Sequence, residues 1–332
     1  MGLEALVARK AVQNARRKAG VLFCACAIAL LQGCAALWPQ TAALRDQQPE
    51  ALKIPQQVEL TSVPFFPQTE YQCGPAALAT VLANFGAKVT PEDLVSQVYI
   101  PERRGSLQVE MVAAARRHGM VSYVLMPSFE DLLREVAAGN PVIVLQNLGF
   151  TEGWHYAVAV GYDYAKGELI LRSGTKERET MFFGVHEFVW MRSGYWAMVA
   201  VPPDRIPATA EEVRYLSSVA AMERAGNPTV ARTAYSTFLK RWPNNTNAAI
   251  GLANAHYALK ELKQAELVLR EASQRDPGSV IVLNNLAHLI SEQGRPEEAL
   301  PVIDRAAAAG GPFAESVQKT RQTILERIKS RK

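Results

Sequence analysis

A chain of 332 residues has room for about two domains of roughly 150 residues each. Hydrophobic residues make up 48% and charged residues 20%, which excludes wholesale disorder, a collagen-like repeat and a disulfide scaffold. The net charge of +4 resides in residues 1–33, where Arg9, Lys10, Arg16, Arg17 and Lys18 outnumber Glu4, so the rest of the chain is neutral and offers no basic arm to nucleic acid.

Arg16-Arg17-Lys18 precedes the apolar run Val21 to Leu31, the order of a basic region and a short hydrophobic region in an export leader. The run falls short of the roughly 20 residues that a spanning helix needs. It ends in Leu30-Leu31-Gln32-Gly33-Cys34, which resembles the bacterial lipobox. The resemblance implies that residues 1–33 are a lipoprotein signal peptide and that Cys34 is lipidated at sulfur and at its new N-terminus. It also implies a membrane partner through Cys34, and Ala35 after the cysteine implies the outer membrane, facing the periplasm. Several acyl chains on one residue hold where a single chain is marginal. Cys24 and Cys26 leave with such a leader, so Cys73 becomes the one free thiol of an envelope protein, where unpaired thiols are unusual.

Residues 34–59 read as a polar tether with Pro39 and Pro55 and no clear periodicity. Residues 60–203 mix α and β patterns, residues 204–211 form a linker in a stretch punctuated by Pro202, Pro203 and Pro207, and residues 212–332 are purely helical in pattern. Within the mixed region, Pro75 suits the first turn of a helix, Leu78, Val81, Leu82 and Phe85 recur at helical spacing, and Gly86 ends the run. Cys73 is therefore expected at a helix N-terminus. Free N–H groups and the helix dipole there are expected to lower the thiol pKa and to receive an oxyanion. The side-chain amide of Gln68 would be a second oxyanion donor.

A thiol nucleophile needs a proton partner. His256 and His288 fall in the helical tail, His118 reads as a capping residue at a helix end, and His186 as part of a short exposed helix. His155 differs, because it opens the apolar strand Trp154 to Asp163. Pro141 to Leu145 precedes it as a strand, and Glu168 to Arg172 follows it as a hairpin partner. A histidine at the start of a central strand can face a helix N-terminus across a cleft.

Gln68, the Cys73-Gly-Pro-Ala-Ala-Leu helix start, and His155-Tyr-Ala-Val followed by Gly161-Tyr-Asp resemble the bacteriocin-processing type of papain-like cysteine peptidase. The resemblance covers about residues 60–203. It implies Cys73 as nucleophile, His155 as general base and acid, Gln68 in the oxyanion hole, and a peptide or protein substrate. The family places Asp or Asn at the end of the next strand, where this chain has Leu171-Arg172-Ser173-Gly174. Ser173 could accept a bond from the imidazole Nδ1–H, stabilising an imidazolium less than a carboxylate would. Asp163 is the other acid near in sequence, and a Cys–His dyad without a third member is the remaining arrangement. Gln72 stands where the family often has Asp. Because the third position departs from the pattern, a catalytically weak peptide-binding scaffold of an envelope complex stays open, as does acyl transfer on the same pair. No Cys/His/Asp/Glu set has metal-ligand spacing and no Gly-rich loop reads as a phosphate cradle, so no cofactor is expected.

The tail repeats with a period of 34 residues: Pro243 and Pro277 are related by it, as are Ala231, Ala265 and Ala299, and Tyr235, Leu269 and Ile303. Phe238, Ala272 and Ala306 share it, and so do Val219, Ala253 and Ala287. The pattern resembles the tetratricopeptide repeat, with units at about 212–245, 246–279 and 280–313 and a capping helix to Lys332. That family binds peptides or helices on its concave face, here offering Asn247, Asn254, Asn284 and Lys260, which implies a protein partner. The fold class expected is an α+β papain-like cysteine peptidase domain followed by an all-α tetratricopeptide solenoid.

Overall fold

The computed structural model of the chain describes residues 38–68, 72–149 and 153–331. The leader, Cys24, Cys26 and the lipobox Cys34 lie outside the described residues. No helix among the described residues is long and apolar enough to cross a membrane.

The α+β domain is built on an antiparallel sheet. Its strands are β1 (Gln57–Glu59), β4 (Val121–Val124), β5 (Val142–Asn147), β6 (Trp154–Asp163), β7 (Glu168–Ser173), β8 (Lys176–Phe182) and β9 (Ala197–Val201). The order is β4-β9-β5-β6-β7-β8, with β1 added beside the far end of β6. β2 (Tyr99–Ile100) and β3 (Gly105–Ser106) form a separate ribbon. The central strands are buried on both faces, which is why they read as near-continuous apolar runs rather than as alternation. In β6, Tyr156, Val158 and Val160 join one core and Ala157 and Ala159 the other.

Helices α2 (Cys73–Asn84), α3 (Pro91–Val98) and α4 (Gln108–Arg117) pack on the Tyr156 face. Helices α5 (Phe129–Ala137) and α6 (Phe183–Trp190) cover the other. α2 starts at Cys73, holds Pro75 in its first turn and ends at Asn84 before Gly86, whose φ is +85°.

The segment expected as a tether is instead part of this domain from residue 38 onward. Helix α1 (Pro39–Arg45) buries Thr41 and Leu44, and Leu52 and Ile54 enter the same core. The backbone N–H groups of Gln40 and Thr41, which lie in the first turn and have no partner within the helix, donate to the buried Glu187 carboxylate at 2.9 and 2.6 Å. β1 then reaches β6 at Gly161, where a Cβ would stand 2.5 Å from the Val58 carbonyl oxygen.

The tail forms helix pairs α7 (Glu212–Arg224) with α8 (Pro228–Arg241), α9 (Thr246–Ala258) with α10 (Leu262–Arg275), and α11 (Val280–Glu292) with α12 (Pro296–Ala309), followed by α13 (Ala314–Lys329). The 34-residue pattern is its packing code. Ala231, Ala265 and Ala299 are fully buried, and Tyr235, Leu269 and Ile303 fill the gaps between helices. Gly251 lies against the Tyr235 ring so closely that a Cβ would stand 2.2 Å from its Cζ.

The expected linker contains neither helix nor strand, yet it is pinned. Thr209 donates from its N–H and its hydroxyl to the buried Glu135 at 2.7 and 2.6 Å. Tyr215, Val219 and Met222 of α7 share one core with Tyr123, Val199 and Val201 of the sheet. The first repeat is thus built onto the sheet edge rather than strung behind it.

Candidate active site

Cys73 is partly buried at the first residue of α2, against the Tyr156 face of the sheet. Its sulfur accepts backbone N–H groups from Tyr156, Gly74 and its own residue, all of which favour a thiolate. Burial opposes them and wins: the thiol pKa is raised above its ordinary value. This reverses the expectation drawn from the helix N-terminus. That argument counted the N–H groups but not the desolvation by the apolar sheet behind them.

Gln68 is held on two sides. Its side-chain Nε2 donates to the Tyr156 carbonyl at 3.3 Å, and its backbone N–H donates to the Gly174 carbonyl at 3.0 Å. An amide nitrogen carries two hydrogens, so one remains for a further acceptor. Tyr156 therefore joins Cys73 through its N–H to Gln68 through its C=O, and it directly follows His155.

His155 sits at the open start of β6, cross-strand from Gln146. Its Nε2 lies 3.1 Å from the Ser173 hydroxyl, at the end of β7. The nitrogen facing Ser173 is Nε2, not the Nδ1 expected. Asp163 is excluded as an orienter, because it occupies the opposite end of the ten-residue β6 and pairs with Lys166 at 2.9 Å. Gln72 precedes α2 and makes no side-chain cap bond. The structure thus brings Gln68, Cys73, His155 and Ser173 to one end of the sheet.

The other histidines have structural partners. His118 ends α4 and meets Gln97 at 3.1 Å, His256 pairs with Glu261 at 2.6 Å, and His288 lies 3.5 Å from Glu292. His186 is on a short helix but is fully buried, not exposed: it faces the sheet, 2.9 Å from Gln146, and burial lowers its pKa to about 3. Its helix is apolar on both sides, so periodicity gave no inner face.

Three supporting residues went unread in the sequence. Tyr156 places its hydroxyl on the Ser106 carbonyl at 3.2 Å. Gly74 leaves no room for a side chain, since a Cβ would lie 2.2 Å from the Ser106 hydroxyl oxygen. Arg172 is buried and donates to the Val63 carbonyl at 3.2 Å and to the Glu177 carbonyl, tying the end of β7 to the segment that leads to Gln68. A cation ending the run Glu-Leu-Ile-Leu-Arg was the available signal. A cavity of about 420 Å³ opens beside His155, lined also by Gln146, Leu148, Ser173, Thr175, Glu179 and Met181.

Comparison with known proteins agrees with this architecture. Residues 60–188 match the model of the Peptidase_C39 like family, and residues 223–280 match the tetratricopeptide repeat. The chain therefore carries a C39-like peptidase domain followed by tetratricopeptide repeats. It is similar to cellulose synthase operon protein C of Pseudomonas fluorescens, at 32% identity over 111 residues. That match covers 32% of this chain and 9% of the relative, so the chain spans only a small part of that protein's length. Among solved structures, a Bacillus anthracis protein described as a C39-like peptidase is 19% identical with a TM-score of 0.38, covering 44% of this chain and 97% of its own. The peptidase domain of the Streptococcus transporter ComA is 18% identical with a TM-score of 0.35, covering 42% and 98%. The TPR2B domain of yeast Sti1, in complex with an Hsp70 peptide, is 18% identical with a TM-score of 0.32, covering 33% and 91%.

Proposed function

We propose that the protein is a lipid-anchored cysteine peptidase of the bacterial cell envelope, held by Cys34 and facing the periplasm from the outer membrane, with repeats that recruit a protein partner or substrate. The observation that carries the peptidase reading is the Cys73 sulfur on the Tyr156 N–H, next in the chain to His155, whose Nε2 lies 3.1 Å from the Ser173 hydroxyl. In this reading the resting thiol is neutral, because burial outweighs the N–H groups. His155 takes the thiol proton on Nδ1 as the sulfur attacks a peptide carbonyl carbon. The oxyanion is received by the Cys73 N–H and the second hydrogen of the Gln68 amide. His155 then gives its proton to the leaving amine, and water releases the acyl group from sulfur. The lipid anchor rests on the lipobox resemblance at Cys34.

Hydrolysis of a peptide library by the wild-type chain, lost in both Cys73→Ser and His155→Ala with circular dichroism unchanged, is the expected result. Full activity in either variant sinks the assignment. The second reading, a catalytically weak peptide-binding scaffold, is favoured by one observation: a raised thiol pKa beside a neutral hydroxyl in the third position. Peptide capture without turnover by the wild-type chain would select it.

A further inference from the structure

Helix α6 has two unlike sides. Phe183, His186, Glu187 and Trp190 are buried against the sheet. On the outer side, Phe182, Val185, Phe188 and Met191 follow at steps of three and are 61, 51, 43 and 40% exposed. Such a run of large apolar side chains is uncommon on a surface that meets only water. At its N-terminal end lies a groove of about 320 Å³ between Trp38, Leu44, Tyr164, Phe182 and Val185, with Arg45 at its edge. The Trp38 ring closes on Gly184, where a Cβ would be in ordinary contact at 3.5 Å.

The position of Trp38 in the chain says what covers this face. Cys34 lies only four residues before it. At about 3.5 Å per extended residue, a lipid on Cys34 enters the bilayer within roughly 14 Å of the Trp38 groove. Resting on the Cys34 anchor proposed above, we propose that the outer side of α6 and the Trp38 groove dock on a phospholipid bilayer. Apolar side chains with cations at the rim are what an interfacial helix presents to acyl chains and phosphates. Arg45 borders the groove, and the Arg192 guanidinium lies 4.5 Å over the Phe188 ring. Arg192 also donates to the Asn147 carbonyl at 3.4 Å, and Asn147 pairs across strands with Trp154, which is 55% exposed beside His155. The docked face thus runs from the chain entry to the His155 end of the sheet. Helix α2, which begins at Cys73, packs on the opposite face of the sheet from α6.

The test uses the full chain, expressed in a bacterium with its leader and carrying Cys73→Ser and Val185→Cys, so that residue 185 bears the one free thiol of the acylated product. Phe188→Cys is a second reporter, and Leu267→Cys, on the repeats and 59% exposed, is the reference. Each is labelled with a polarity-sensitive fluorophore on vesicles of phosphatidylethanolamine and phosphatidylglycerol. Docking predicts that labels at 185 and 188 are quenched several-fold more by a lipid-borne nitroxide, and less by iodide, than the label at 267. Labels at 185 and 188 as open to iodide as 267, on protein that floats with the vesicles, overturn the docking and leave the anchor standing. Labels shielded from both quenchers mean that a second protein copy covers the face, which also overturns it. A product that does not float with the vesicles overturns the anchor and the docking together.

Discussion

Ser173 is a neutral hydroxyl, 3.1 Å from His155 Nε2, in the place where a carboxylate would stabilise an imidazolium. A neutral hydrogen bond contributes about 1 kcal/mol net, so its loss changes the histidine's behaviour modestly rather than abolishing it. The thiol gives a cleaner readout. Burial raises the Cys73 thiol already in the intact chain, so in His155→Ala, which lacks the base, the alkylation rate is expected to rise with a midpoint above the free-thiol value of about 8.5. With His155 present, the imidazole can take the thiol proton, so the midpoint is expected below that of His155→Ala, and Ser173→Ala is expected between the two. The measurement is the rate of alkylation against pH, and a midpoint indifferent to both substitutions would falsify the pairing. The order Gln68, Cys73, His155 was legible because it is carried by residue types in sequence. The direction of the thiol shift and the choice of Nε2 were not, because both depend on which groups from distant strands close around the site.

Helix α1 shows why a short element escapes a periodicity argument. Seven residues make about two turns, too few for a repeating apolar face, and its buried residues are only Thr41 and Leu44. What holds it is remote: the Glu187 carboxylate, 146 residues away in sequence, accepts the Thr41 N–H, and Glu187 looks like an ordinary surface acid on a short helix. Longer elements with their own signals were legible. Pro75 and Gly86 bracket α2, and the hairpin of β6 and β7 lies where the apolar runs predicted it. Glu187→Gln replaces one charged acceptor with an N–H donor facing the Gln40 or Thr41 N–H. A charge-assisted bond is worth about 1.5–3 kcal/mol, and that loss is expected in urea unfolding, with faster amide exchange at residues 40–45. An unchanged unfolding midpoint would mean that the apolar contacts of Leu44, Leu52 and Ile54 hold this segment without the carboxylate.

Prolines at 202, 203 and 207 mark where strand pairing stops, and read alone they separate a peptidase from a solenoid. Proline reports on backbone hydrogen bonding, however, not on where a hydrophobic core ends. The core here runs on. The Tyr123 and Tyr215 rings meet edge to face at 6.0 Å, Arg214 donates to the Val124 carbonyl at 2.9 Å, and Phe238 of the second repeat helix belongs to the same buried cluster as Val199 and Val201. Cutting the chain at residue 210 therefore does more than remove a recruiting module. It strips Tyr215, Val219, Met222 and Phe238 from β4 and β9, and each loss of that size costs about 2–5 kcal/mol, against a total stability of about 5–15 kcal/mol for a domain. A chain ending at residue 209 is thus expected to lose cooperative unfolding and the protection of its Cys73 thiol. A chain ending at residue 279 keeps α7 to α10, and with them the whole shared cluster, so it is expected to melt in one transition with Cys73 alkylation unchanged. Calorimetry and thiol labelling of the two truncations decide the matter. If the shorter chain melts as sharply as the full one, the repeats are an appendage, and deleting them becomes a fair way to separate recruitment from catalysis. If it does not, recruitment has to be tested by substitutions on the concave face, because the repeats and the peptidase fold as one body.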